Sequence, residues 1–164
     1  MAKINLDKYY TSKELAKYCI DVVNGLELNI SETIEPSAGN GSFSLQIPNC
    51  IAYDLEPEHE SIIQQDFLKL ELPYKKGRLF IGNPPFGTRN TLSVAFYKQA
   101  TKMGDYIAFI LPVSQYNNNK QIYEFDLIHS EVLPLIEYSG VELLCCFNVY
   151  KRPDNRINTK ATDY

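Results

Sequence analysis

Thr33-Ile34-Glu35, the turn Pro36-Ser37-Ala38-Gly39-Asn40-Gly41 and the run Ile51-Ala52-Tyr53-Asp54 constrain this chain more than any other stretch. A short strand ends in an acid, breaks into a glycine turn and is followed by a second strand that again ends in an acid. Glycine lets backbone come close to a bound molecule with no Cβ in the way, and Ser42-Phe43-Ser44-Leu45 reads as the opening of a short helix. Strand, glycine turn and helix form the ligand-binding corner of an open α/β sheet. Asp54 stands where a carboxylate can accept both hydroxyls of a ribose. Glu56 and Glu58, just behind it, read as a solvated acidic loop.

The remaining elements extend that corner into a sheet. Ser12 to Val23 is predicted helical, with Ser12 as N-cap and Glu14 in the first turn. Strands are expected at 33–35, 51–54, weakly at 62–65, and again at 78–81, where Arg78-Leu79-Phe80-Ile81 has the apolar character of a strand covered on both faces. Thr91 to Thr101 carries Ser93, Val94, Phe96, Tyr97 and Ala100 near helical spacing. Tyr106 to Leu111 is the next central strand and Asp126 to Tyr138 a further one. Gly140 then introduces a return run, Glu142 to Tyr150, as a hairpin at the sheet edge. The expected fold is α/β, with a mostly parallel seven-stranded sheet, an antiparallel last strand and helices on both faces. At 164 residues and 45% hydrophobic content, one core fits and a second full domain does not. Residues 1–152 read as that domain and the tail from Pro153 as flexible. A polar N-terminus and the lack of a long apolar run argue against a signal peptide or membrane span and for a cytoplasmic location. Cys19, Cys50, Cys145 and Cys146 show no C-x-x-C spacing and suit buried thiols better than metal ligands or disulfides, so no metal site is expected.

Asn83-Pro84-Pro85-Phe86 carries the chemistry. An aromatic or amide-like NH2 is a poor nucleophile because its lone pair is delocalised, so a catalyst must hold the nitrogen with acceptors that favour a more tetrahedral geometry. The Asn83 side-chain oxygen and the Pro84 carbonyl can be those acceptors. Two consecutive prolines fix φ and push the preceding residue into an extended conformation, which aims both groups with little reorganisation. Phe86 offers a face for a planar base. A plain turn leaving a strand is the bland alternative. Asp66-Phe67 places an acceptor beside a flat ring, a pairing suited to an adenine amino group, with a surface acid beside a core aromatic as the common alternative.

Taken together, these segments resemble the N6-adenine DNA methyltransferases. Those are class I S-adenosylmethionine-dependent enzymes with a D/E-P-x-x-G-x-G cofactor motif and an N-P-P-Y/F catalytic motif. The similarity runs from Tyr9 to about Arg156. It rests on Glu35-Pro36-Ser37-Ala38-Gly39-Asn40-Gly41-Ser42-Phe43, Asp66-Phe67, Gly82-Asn83-Pro84-Pro85-Phe86-Gly87 and Ala108-Phe109-Ile110-Leu111-Pro112. Tyr9-Tyr10-Thr11-Ser12 is similar to the family's F/Y-Y-T-P segment, with Ser12 in place of Pro. The resemblance implies a Rossmann-like class I methyltransferase fold and S-adenosylmethionine as cofactor. It implies that Tyr10 and Thr11 lie at the cofactor's methionine end and that Glu35 and the Gly39–Gly41 backbone hold its amino-acid portion, within the turn that includes Pro36, Ala38 and Asn40. Asp54 would hold the ribose, Asp66 and Phe67 the adenine. Asn83 and Pro84 would bind the target amino group, Pro85 would complete the rigid turn and Phe86 would stack on the target base. Transfer would be a direct in-line displacement, and a base inside a duplex would have to be flipped out.

The acceptor is less sharply written. The formal charge is -4 and no basic block occurs, whereas proteins that grip duplex DNA present many cations to phosphates. Arg89 and Lys120 are expected on the ligand-bearing edge of the sheet as phosphate contacts, and Tyr116 there can stack on a flanking base; the two cations read at least as well as ordinary solvated side chains, and Tyr116 equally as a core or surface tyrosine. Lys151, Arg152 and Arg156 should lie farther away. Sequence-specific members of the family carry an additional recognition region, so DNA binding here is expected to use little sequence recognition, a separate partner or a homodimer. RNA adenine, a protein glutamine amide, and a non-catalytic module binding cofactor or a partner are the alternatives.

Overall fold

The computed structural model describes residues 11–134, 136–138 and 141–160. Helix α1 (Lys13–Gly25) starts where the Ser12 side chain accepts the Leu15 N–H at 3.1 Å, which satisfies one of the donors a helix N-terminus leaves open. Strands β1 (Glu32–Glu35), β2 (Ile51–Asp54), β3 (Ile63–Gln64), β4 (Arg78–Gly82) and β5 (Tyr106–Pro112) follow, with helix α2 (Thr91–Thr101) between β4 and β5. Strands β6 (Asp126–Val132), β7 (Ile136–Tyr138), β8 (Val141–Leu143) and β9 (Cys145–Lys151) complete the order.

Seven strands form one sheet in the order β3-β2-β1-β4-β5-β9-β6. The pairs from β3 to β5 are parallel, and β9 runs antiparallel to both of its neighbours. The expected hairpin is present, with β6 at the edge and β9 inside. The expected strand from Asp126 to Tyr138 is broken, however. The Leu133 N–H makes the last rung to the Cys145 carbonyl at 2.9 Å, and Pro134 has no N–H with which to continue the ladder. Beyond it, β7 and β8 pair only with each other. The run expected from Glu142 to Tyr150 divides correspondingly into β8 and β9.

Alternation along the central strands builds the core on both faces. Phe80, Ile107, Phe109, Leu111 and Tyr150 pack with Phe96, Tyr97 and Ala100 of α2. Leu79, Ile81, Ala108, Ile110, Phe147 and Val149 face the other way, against Ala16, Cys19 and Val23 of α1. Period two in the strands and three-to-four in the helices therefore meet on each side. The other crossovers are compact. A 3-10 turn at Ser44–Gln46 stands where a short helix is expected, and another at Phe67–Lys69 follows β3. Past β9, Asn158 donates to the Glu124 carbonyl and to Asp126 Oδ1, at 2.8 and 2.9 Å. Among the described residues no helix is long and apolar enough to cross a membrane.

Candidate active site

The parallel strands β1, β2 and β4 end side by side, and their C-terminal loops meet. Between β1 and β2 the chain turns through Gly39 and Gly41, at φ 56° and 88°. A Cβ on Gly41 would lie 2.8 Å from Leu45 Cγ, so that position admits only glycine without displacement. Asp54 holds the turn from the end of β2. One carboxylate oxygen accepts the Gly39 N–H and the other accepts the Glu56 N–H, both at 2.8 Å. The ribose candidate of the sequence is thus also the clamp that shapes the glycine turn. Asn40 is exposed, and its side-chain oxygen accepts the Ser42 hydroxyl at 2.8 Å.

Glu35 is 2% exposed. Its Oε1 accepts the Ser44 N–H at 2.9 Å, so it braces the start of the Ser44–Gln46 turn from beneath. Burial pushes its carboxyl well above the ordinary carboxylate range, and the bond from Ser44 offsets this only in part. A raised folded-state pKa means that the neutral form fits the fold. The stabilisation is fully present below the unfolded value of about 4.3 and is lost as pH rises through the folded value. Glu35→Gln keeps an acceptor for Ser44 without the charge. Its thermal midpoint is expected to match the unaltered protein near about pH 4 and to exceed it increasingly towards about pH 8. Parallel curves in calorimetry across that range would show that Glu35 does not titrate in this way.

Beside the turn lies a cavity of about 410 Å³, a size that suits a nucleoside-sized ligand. Pro36, Ser37, Asp54, Leu55 and Glu56 form one side, Gln65, Asp66, Phe67 and Leu68 the second, and Pro85, Leu92 and Phe96 the third. Asp66 caps the following turn through the Leu68 N–H at 3.0 Å. Phe67 is 1% exposed, its ring packed between Phe80 and Phe96 with centroids 5.6 and 5.2 Å away. It reaches the cavity as part of a core wall. Leu92 and Phe96, one helical turn apart on α2, and Gln65 are walls that sequence reading does not single out. Glu56, read there as a solvated loop residue, also lines the cavity.

Asn83 to Phe86 leave β4 at the same edge. Asn83 Nδ2 donates to Thr11 Oγ1 at 3.0 Å, so the amide plane is fixed with its oxygen turned away from Thr11. The Thr11 carbonyl accepts the Ser42 hydroxyl at 2.6 Å. The Thr11 segment, the glycine turn and the Asn-Pro-Pro turn are therefore joined by direct hydrogen bonds. Tyr10 lies outside the described residues. Pro84 is buried, Pro85 faces the cavity, and half-buried Phe86 packs on the α1 side of the sheet. The Phe86 carbonyl accepts the Leu92 and Ser93 N–H groups at 3.1 and 3.3 Å, which ties the turn to the start of α2. Gly87 is required there, at φ 72° with a Cβ that would lie 2.9 Å from the Leu92 nitrogen.

Arg89, Tyr116 and Lys120 are all exposed on this edge. Asn90 Nδ2 donates to Ser114 Oγ at 3.0 Å, so the loop bearing Arg89 is bonded to the loop that leads to Tyr116. Among the described residues no group of three or more His, Cys, Asp or Glu is arranged to hold a metal ion. Arg152 sits at the far end of β9, bonded to Asp105 and the Gly104 carbonyl.

No family model matches the chain, and no curated protein matches it. Solved structures do. A Pyrococcus horikoshii protein provisionally named an RNA methyltransferase is similar at 15% identity and a TM-score of 0.71, over 93% of this chain and 90% of that one. A protein of Thermoplasma acidophilum is similar at 17% identity and a TM-score of 0.65, over 93% of each chain. The 23S rRNA methyltransferase ErmE is similar at 14% identity and a TM-score of 0.57, over 90% of this chain and 70% of that one. The strand order, the antiparallel β9 and these likenesses establish a Rossmann-like class I methyltransferase fold.

Proposed function

We propose that this chain binds S-adenosylmethionine and transfers a methyl group to the exocyclic N6 of adenine in DNA. The observation that carries the reading is the Asn83-Pro84-Pro85-Phe86 turn, which is bonded to Thr11 on one side and borders the cavity through Pro85 on the other. The residues present fit the cofactor. Asp54 accepts ribose hydroxyls while clamping the glycine turn, Asp66 accepts from the adenine amino group, and Leu92, Phe96 and Leu68 supply apolar walls. The acidic lining also favours a ligand with a positive centre. When bound, the cofactor supplies an electrophilic methyl group on a charged sulfur.

The chain's own residues act on the acceptor. The Asn83 oxygen and the Pro84 carbonyl accept the two N–H bonds of the adenine amino group and favour a nitrogen whose lone pair is available for attack. Phe86 stacks on the base. Arg89 and Lys120 contact phosphates at the rim, and a separate recognition partner or a second copy supplies the cationic surface that a chain of net charge -4 lacks.

Adenine in RNA is the second reading. It is favoured by two of the similar structures, one provisionally named an RNA methyltransferase and one named a 23S rRNA methyltransferase. The test is transfer of a labelled methyl group from S-adenosylmethionine to duplex DNA, single-stranded DNA, total RNA and protein, with nucleoside analysis of the labelled material. N6-methyldeoxyadenosine is the expected product. Label confined to RNA establishes the second reading, label on glutamine moves the acceptor to protein, and cofactor binding with no transfer indicates a non-catalytic module.

A further inference from the structure

Tyr116 is 46% exposed at the rim, yet the backbone on both sides of it is fixed from inside the sheet. On one side the Gln115 carbonyl accepts Asn148 Nδ2 at 2.8 Å. On the other, the Asn117 N–H donates to Ser130 Oγ at 2.9 Å, and that hydroxyl donates to Asn148 Oδ1 at 2.7 Å. Asn148 lies within β9, 0% exposed, and its Nδ2 also donates to the Tyr150 hydroxyl at 2.9 Å. Both ends of one buried amide are thus committed, and two of its links end on residues 115 and 117. A polar group so deep in an otherwise apolar strand is costly unless its bonds are made; here they run to the loop. Asn117 is held at φ 47°, a conformation that a restrained loop sustains better than a free one. The Asn90 to Ser114 bond fixes the same loop laterally to the segment that follows Phe86.

We infer that Asn148 is a positioning residue for the acceptor: through Gln115 and Ser130 it holds Tyr116 as a preset stacking platform beside the transfer site. The inference rests on the methyl-transfer reading above and adds to it a specific route from the sheet interior to acceptor binding. An aromatic held in place stacks on any base without the entropy loss of ordering a loop.

The test uses the full chain with the nucleic acid that it methylates, and compares Ser130→Ala, Tyr116→Ala and the double variant. Ser130 is half-buried, so its alanine variant breaks the link with less risk to folding than a change at Asn148. Each single variant is expected to raise the acceptor KM about tenfold, about 1.4 kcal/mol and within the range of one stacked base. Cofactor affinity and kcat should stay within about twofold, and the double variant should be no worse than Tyr116→Ala, because both changes remove the same contact. Tyr116→Phe retains the ring and should restore the KM. An unchanged KM in Ser130→Ala, multiplied effects in the double variant, or a parallel fall in cofactor affinity each overturn the inference while leaving methyl transfer intact. Absence of transfer to any acceptor by the unaltered chain overturns the methyltransferase reading, and this inference with it.

Discussion

Asn83→Ala is expected to lower the rate of methyl transfer by about 10²–10³-fold, the usual effect of removing one preorganised polar group from a reacting centre. The substitution deletes the oxygen proposed to accept from the target amino group and the amide donor that binds Thr11. Asn83 is not among the residues that line the cavity beside the glycine turn, so cofactor affinity should stay within about a few-fold. Single-turnover transfer and calorimetric titration of S-adenosylmethionine separate the two effects. Normal turnover in the variant would remove Asn83 from the chemistry. Loss of cofactor binding would instead make its bond to Thr11 the important one, with the Asn-Pro-Pro turn acting as a structural clasp.

Asp54→Ala should have the opposite signature, with cofactor affinity falling about 100-fold, or about 2.7 kcal/mol, and kcat largely kept at saturating cofactor. Two causes act together. The carboxylate proposed for the ribose disappears, and the Gly39 and Glu56 N–H groups lose their acceptor. Hydrogen bonds to a charged group are each worth about 1.5–3 kcal/mol, so relaxation of the turn alone could produce much of the loss. Asp54→Asn, which keeps one acceptor oxygen and removes the charge, should fall between the two. Calorimetric titration of the three proteins gives the ranking, and equal affinities across the series would exclude Asp54 from the binding site.

The amino-acid sequence carries the sheet more completely than the cavity. Ile51 to Asp54 and Thr91 to Thr101 have the expected boundaries, and Ser12 caps α1 as its position suggests. These features are local: alternation, helical spacing and a capping side chain act within a few residues. The division of Asp126 to Tyr138 is local too, since it turns on Pro134, but short apolar pairs on both sides of it, Val132-Leu133 and Leu135-Ile136, outweigh one proline when periodicity alone is read. The cavity is different. Gln65, Pro85, Leu92 and Phe96 come together only because α2 crosses the sheet to the turn that follows β3, where Gln99 donates to the Phe67 and Leu70 carbonyls, and its first turn is bonded to the loop that leaves β4. In the sequence Phe96 is indistinguishable from a core residue of α2, which it also is. Asn83 and Thr11, 72 positions apart, likewise meet only in the folded chain. Asn148 gives no sequence signal, because its significance lies in what surrounds it in three dimensions.

The placement of β9 bears on how the chain can be made. Cys145–Lys151 is laid down after every other strand of the main sheet, yet it pairs along the whole length of β5 and separates it from β6. Until those residues emerge from the ribosome, β5 is an almost wholly apolar strand with one edge unpaired, the kind of edge that recruits other chains. Cooperative closure of the sheet therefore waits for its last seven-residue strand. Chains interrupted before Cys145 would be templates for aggregation rather than smaller working domains, and yield from a cell would depend on how quickly synthesis covers that final stretch.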